Sequence, residues 1–359
     1  MTAEPSPKQL RSLPVQLIEF DGGVVLKRGC TEVRIGGDGV AHAVQLLLTA
    51  TSNHGATRQE ICQLFAPAEH SAIEHLIDEL VARRLLVYCS AGEPLEEGLE
   101  SSLDVFYWHF DARAPEVNER LNCQKIVILG VNSISQQLAL SLSKSGVKNL
   151  RIVDHPALRN PCFFDHTGRL KEGTWPIAVR APGEYGEGIA PESVDCLVVT
   201  SDFGRNPTLR EWNGFCVEHR RHFLPVILHN VIGYVGPLVV PGETACFECL
   251  LARQNSHLEN PEIHRVIEEA TAEGQRVIGF HPSMPSTLAE VAAFELTKFY
   301  SGLLPGRVGT LIEVNLLATR MMGRKVLKVP RCPTCSPLNT RPSTTPRRSM
   351  FTLVPEAKE

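Results

Sequence analysis

Four of the cysteines stand in two pairs, Cys246-Phe247-Glu248-Cys249 and Cys332-Pro333-Thr334-Cys335. Two intervening residues let both sulfurs of a pair meet one ion at about 2.3 Å while the backbone stays close, and two such turns complete a tetrahedron. All-thiolate donors favour zinc or iron–sulfur chemistry over hard cations. With four protein ligands no position is left for a substrate, so the expected site is a structural Zn²⁺ clasp. It would tie the loop after Gly242 to the end of the same domain. Two separate redox dithiols are the alternative. The other seven cysteines (Cys30, Cys62, Cys89, Cys123, Cys162, Cys196 and Cys216) are scattered through mostly apolar stretches and read as buried free thiols. Their odd total with the clasp, eleven, does not suit a disulfide framework.

A second chemistry is written in damaged form. Lys125–Gly130 reads K-I-V-I-L-G, a buried strand ending in a glycine, and a helix follows. Nucleotide folds use such a turn because glycines let backbone N–H groups approach phosphates at a helix N-terminus. Here the turn is G-V-N-S-I-S, with Asn132 and Ser135 where further glycines belong. Those side chains crowd the phosphate space, so ATP is expected to bind weakly or not at all. Asp154 lies near the usual place of a ribose-binding carboxylate, but a turn acid ending a strand would look the same. His229, His257 and His264 have no nucleophile at a readable spacing and read as ordinary histidines.

These residues need elements to hold them. The first ordered segment, residues 14–89, opens with β-like runs at Val15–Phe20, Gly23–Lys27 and Thr31–Ile35, with Asp21-Gly22 as a hairpin turn. Asp38 is placed to cap a helix through Ala50. Thr57 and Glu60 form a capping box opening a helix to Phe65. A third helix, Ser71–Arg84, puts Ile73, Leu76, Ile77 and Leu80 on one stripe, and Leu85–Tyr88 returns as a strand. This order predicts a winged helix-turn-helix. Its third helix is too acidic (Glu74, Asp78, Glu79) to favour DNA. Residues 90–122 read as an acidic linker with one helix near Leu103–Phe110. Residues 123–336 alternate strand and helix as a doubly wound, Rossmann-type α/β sheet. Within it 181–191 is a loop, Ser286–Tyr300 an amphipathic helix, and Thr310–Arg320 and Lys325–Val329 closing strands. The tail 337–359, rich in Pro, Thr, Ser and Arg, is expected to be disordered.

Composition narrows the function. A net charge of −4 offers no dominant field for nucleic acid. No run of apolar residues is long enough for a membrane span, and the polar N-terminus lacks a signal core. The expected location is the cytoplasm.

Over roughly Lys125–Pro337 the chain resembles the ThiF family of adenylating proteins, related to ubiquitin-activating enzymes. The resemblance rests on the β–turn–α opening, on Ser201-Asp202 ending a strand, and on Arg210 and Asn213 on the next helix. It extends through G-Y-V-G-P-L-V-V-P-G (Gly233–Gly242) into the first cysteine pair, and to the late C-x-x-C. In adenylating members the acid matching Asp202 helps hold Mg²⁺ and the arginine matching Arg210 contacts ATP phosphates. With the glycine loop and the basic segment after Asp154 lost, Gly130, Asp154, Asp202 and Arg210 form a vestigial nucleotide site. A winged helix before such a body is similar to the leader-binding partner of YcaO-type cyclodehydratases, which make thiazole/oxazole-modified peptides, bacteriocins among them. That resemblance implies a non-catalytic subunit that takes the precursor's leader peptide as an added strand and presents it to the cyclodehydratase. The peptide-binding residues would be Val33, Arg34 and Ile35 on the edge strand and Ile73, Ile77 and Leu80 on the third helix. Homodimerisation through the face of Ser286–Tyr300 is a further expectation. The competing expectation is an adenylating enzyme acting on a peptide or carrier-protein C-terminus.

Overall fold

The computed structural model describes residues 8–52, 54–90, 98–171, 173, 175–180, 189–204, 207–273 and 279–336. The expected disordered tail and most of the 181–191 loop lie outside these residues, as do the linker acids Glu93, Glu96 and Glu97. The chain divides into two compact units, Met1–Glu116 and Val117–Glu359.

In the first unit β1 (Gln9–Ser12) precedes a three-stranded antiparallel meander of β2 (Gln16–Phe20), β3 (Gly23–Arg28) and β4 (Thr31–Gly36). Gly22, at φ +90°, supplies the left-handed turn residue between β2 and β3. Helices α1 (Val40–Ser52), α2 (Arg58–Cys62) and α3 (His70–Ala82) follow, and β5 (Leu86–Cys89) pairs antiparallel with β1. The Thr57/Glu60 capping box forms as expected, although α2 ends at Cys62 rather than Phe65. One core holds Leu10, Leu26, Val44, Leu47, Ile61, Ile77, Leu80 and Leu86. Burying each such side chain stabilises the unit by roughly 1.5–3 kcal/mol.

Two expectations change here. β1 begins at Gln9, inside a segment read as a polar lead-in, because Leu10 reaches the core and is fully buried. The expected linker carries the helix read near Leu103–Phe110 as α4 (Ser102–Trp108), but it also holds a second helix, α5 (Ala114–Asn122), and packs rather than merely spacing the units. Asp104 on α4 is 2% exposed and lies 3.4 Å from the equally buried Arg28 and 2.9 Å from Arg113. Arg28 also donates to the carbonyls of Pro14 and Leu99. Trp108 is flanked by the guanidinium groups of Arg28 and Arg84, 5.2 and 5.5 Å from its ring. Removing Asp104 would leave Arg28 as an uncompensated buried charge, a loss of about 3–5 kcal/mol.

The second unit is built on an eight-stranded mixed sheet, ordered β13-β12-β11-β10-β9-β6-β7-β8. Its strands β6 (Ile126–Leu129), β7 (Leu150–Val153), β8 (Val179–Arg180), β9 (Cys196–Ser201) and β10 (His222–His229) run parallel. Antiparallel β11 (Ile232–Val235), β12 (Thr310–Asn315) and β13 (Arg320–Lys325) extend it. The closing strands thus turn at residues 316–319, inside the segment read as one strand. Helices α6 (Ser133–Lys144), α7 (Pro207–Glu218), α8 (Phe247–Asn255), α9 (Pro261–Ala272) and α10 (Ser283–Ser301) complete the unit. Strand β6 lies between β7 and β9, so the order reverses there and its C-terminal end is the crevice where such sheets bind ligands.

Helix α10 buries Leu288, Ala292 and Leu296 within its own chain, while Phe294 remains exposed beneath the Lys298 ammonium. Its Glu290 accepts hydrogen bonds from Gln137 and Ser141 of α6. Most of the apolar surface that suggested a dimer face therefore belongs to the monomer core. Of the seven scattered cysteines only Cys62, Cys196 and Cys216 are buried; Cys30, Cys123 and Cys162 are exposed and Cys89 half-buried. Apolar neighbours in sequence did not guarantee burial because Cys30 and Cys123 lie in turns and Cys162 in a three-residue 3-10 helix. No helix among the described residues is long and apolar enough to cross a membrane.

Candidate functional site

The four clasp cysteines converge. Cys246 caps the N-terminus of α8, Cys249 sits in its first turn, and Cys332 and Cys335 come from the segment after β13. Their sulfurs all lie within 4.8 Å of one another, with Cys246–Cys249 at 3.9 Å, Cys246–Cys332 at 3.6 Å and Cys249–Cys335 at 3.4 Å. A tetrahedron of 2.3 Å metal–sulfur bonds has edges of about 3.8 Å, so this set can hold a metal ion and suits zinc. Burial pushes the Cys246 thiol far up and Cys335 to about 11. Burial also raises Cys249, but hydrogen bonds led by the Val329 N–H, 3.3 Å from its sulfur, bring it below the usual thiol value. A cation at the centre would draw the protons from Cys246 and Cys335, which burial otherwise holds on.

A groove of about 820 Å³ lies in the first unit between β4 and α3. Val33, Arg34 and Ile35 line one side, and Ile73 and Leu76 the other; Leu46, Leu64 and Phe65 also line it. Ile77 and Leu80, expected on the same wall, do not line it: both are fully buried in the core. The stripe of α3 is wide enough that its centre serves the core and only its flank, Ile73 and Leu76, meets the groove.

Among the described residues β4 pairs with β3 on one side and has no strand on the other. The Gly37 N–H donates to the Gly22 carbonyl at 3.2 Å, directly opposite in the β3–β4 register. Bonded and non-bonded pairs alternate in antiparallel sheets. Thr31, Val33 and Ile35 therefore exchange bonds with β3. Glu32, Arg34 and Gly36 point their N–H and C=O groups away from β3, along the open edge. That edge can accept a further strand, whose inward side chains would enter the groove.

The damaged nucleotide turn is filled from within. Gly130, at φ +112°, makes the turn after β6, and a Cβ there would meet the Thr200 carbonyl at 3.0 Å. Asn132 caps α6: its side-chain oxygen accepts from the Ser135 N–H at 3.1 Å, and the Ser135 hydroxyl accepts from the Asn132 N–H at 2.9 Å. The Asn132 amide donates to the Thr200 carbonyl at 2.9 Å and to the Leu158 carbonyl at 3.3 Å. Asp202 accepts from the Ser133 N–H at 3.0 Å, so a carboxylate of the chain itself occupies the anion position at the helix N-terminus. Asn160 holds the same carboxylate at 2.8 Å, and Arg159 clamps Asp154 at 2.6 to 3.0 Å. Arg210 lies 3.7 Å from Glu248. Arg159 and Asn160 were passed over in the sequence; their spacing after Asp154, with Asp202 far along the chain, carries no local pattern.

No protein-family model matches the chain. It is 26% identical over 241 residues to Protein HesA of Leptolyngbya boryana, covering 61% of this chain and 80% of HesA. The heterocyclase TruD shares its fold at a TM-score of 0.57 and 21% identity, over 92% of this chain and 43% of TruD. E. coli MccB, solved with AMPCPP and selenomethionine MccA, shares it at a TM-score of 0.61 and 16% identity, over 91% of this chain and 99% of MccB. The chain thus spans less than half the length of the heterocyclase it matches. These likenesses establish a Rossmann-like α/β fold and agree with the ThiF-like resemblance of the sequence.

Proposed function

We propose that this chain binds the leader peptide of a ribosomally made precursor and presents it to a partner YcaO-type cyclodehydratase, which it activates. The observation that carries the reading is the open edge of β4 beside an apolar groove. Strand addition of this kind draws affinity from main-chain bonds and specificity from pockets for alternate side chains. The three helices and paired strands of the first unit are read as a winged helix-turn-helix serving peptide rather than DNA. Likeness to the heterocyclase TruD supports a role in making modified peptides.

Zn²⁺ is assigned to Cys246, Cys249, Cys332 and Cys335 as a structural ion. The side chains of Asn132 and Ser135 fill the turn where further glycines would let ATP phosphates approach, which supports a non-catalytic role with the chemistry left to the partner. The competing reading, an adenylating enzyme, draws on the fold of MccB solved with AMPCPP. It requires the turn that Asn132 and Ser135 close to open to phosphates. Fluorescence anisotropy with a labelled leader, taken from a precursor encoded beside this chain, tests the proposal. Saturable binding that is lost on deleting residues 1–90 supports it. Leader binding that survives the deletion refutes it.

A further inference from the structure

Helix α9 presents its apolar residues to solvent. Ile263, Val266 and Ile267 are 58%, 57% and 53% exposed, and none of residues 261–271 is buried. Residues three and four apart share a helix face, so these three make one continuous stripe. The preceding α8, by contrast, buries Phe247, Cys249, Leu250 and Leu251. A helix of this length is marginal in water without packing on its apolar side. Acids border the stripe: Glu262, Glu269 and Glu273 stand against Arg265, which lies 3.9 Å from Glu269.

We propose that residues Met350–Val354 of the same chain cover this stripe. The tail from Pro337 is otherwise polar, and Met350-Phe351-Thr352-Leu353-Val354 is its one apolar run. Arg347 and Arg348 stand just before that run, opposite in charge to the acidic border of α9. Pro355 ends it.

Reach is assured by the clasp. The described chain leaves the second unit at Ser336, beside Cys335, whose sulfur is 3.4 Å from that of Cys249 on α8. From Cys249 the remainder of α8 runs about 9 Å, at 1.5 Å per residue. The connection to Pro261 adds at most about 20 Å, and the middle of α9 lies roughly 8 Å further. The stripe is therefore within about 40 Å of the tail's exit, even along the least favourable path. The segment from Ser336 to Met350 spans up to about 46 Å when extended. Helix α9 and the tail's exit at Ser336 belong to one compact unit. A tethered segment also acts at an effective concentration near the millimolar range, ahead of any untethered competitor. This inference does not depend on the peptide-binding reading, which concerns the first unit.

The test uses the full chain with p-benzoylphenylalanine in place of Phe351, irradiated and analysed by mass spectrometry of the monomer band. The expected product joins position 351 to the peptide 261–272. Ile267→Asp, at an exposed position that the fold does not need, should cut its yield at least about tenfold. Amide exchange gives a second readout: Phe351→Asp in the full chain should speed exchange in α9 by about tenfold. Crosslinks to other surfaces, adducts between chains, or α9 exchange indifferent to Phe351→Asp would each overturn the proposal.

Discussion

Arg34→Pro separates the two sides of β4. The Arg34 N–H points along the open edge, whereas the Val33 N–H is committed to β3 by the alternation that the Gly37–Gly22 bond fixes. Proline removes one donor at either position. At position 34 the loss falls on the incoming peptide alone: one main-chain bond, worth about 0.5–1.5 kcal/mol. The ring on the edge also holds the peptide away, weakening the flanking bonds, so the total should reach roughly 2–3 kcal/mol, or about 30- to 150-fold in Kd. Arg34→Ala removes only an exposed side chain and should cost about 0–1 kcal/mol. Val33→Pro instead breaks a ladder bond and places a strained ring where a buried side chain packs. It should lower the unfolding midpoint of the first unit. Anisotropy with labelled leader gives the affinities, and circular dichroism the folding. Wild-type affinity in Arg34→Pro, with the unit still folded, would refute the edge argument.

The clasp should carry about one Zn²⁺ per chain by elemental analysis. Cys246→Ser should lower the melting midpoint by about 10 °C or more, taking a loss near 4–5 kcal/mol in a unit of this size. Pyrophosphate exchange should be absent from the wild-type chain, and Asn132→Gly should cost about 2–4 kcal/mol of stability through its lost cap and buried hydrogen bonds. Micromolar ATP binding by calorimetry, abolished by Arg210→Ala, would instead revive the adenylating reading. Burial pushes the His222 imidazole below its ordinary value, against the pull of Asp195 and Glu243, and its Nδ1 lies 2.7 Å from the Tyr300 hydroxyl. Burial lowers His155 likewise. The unfolded chain then takes up protons first as pH falls. Stability from these groups should be complete above about pH 6.5 and lost as pH drops through their folded values, measured by urea midpoints across pH 5–8.

The four-cysteine cluster was legible because the spacing is local within each pair, and only the meeting of the two pairs needed the fold. The parallel strands were legible as uniformly apolar runs, and the Thr57/Glu60 box as a local exchange of hydrogen bonds. The helix near Leu103–Phe110 was legible, but its packing was not, because the burial of Asp104 depends on Arg28, far away in sequence. No composition count reveals that two opposite charges will be buried together. Ile77 and Leu80 shared a periodic stripe with Ile73, but periodicity gives a face and not its division between core and groove. The filling of the nucleotide turn was half visible: Asn132 and Ser135 signalled crowding, whereas Asp202 reaches the α6 N-terminus only through the β6–β9 pairing.

Residue-resolved amide exchange on β4, with and without leader peptide, tests the central claim most directly. Free chain should show slow exchange at Val33 and Ile35, bonded to β3, and fast exchange at Glu32, Arg34 and Gly36 on the open edge. Saturating leader should slow those edge amides at least about tenfold, the signature of an added strand. Leader that binds while Glu32, Arg34 and Gly36 continue to exchange at their free rates would contradict it.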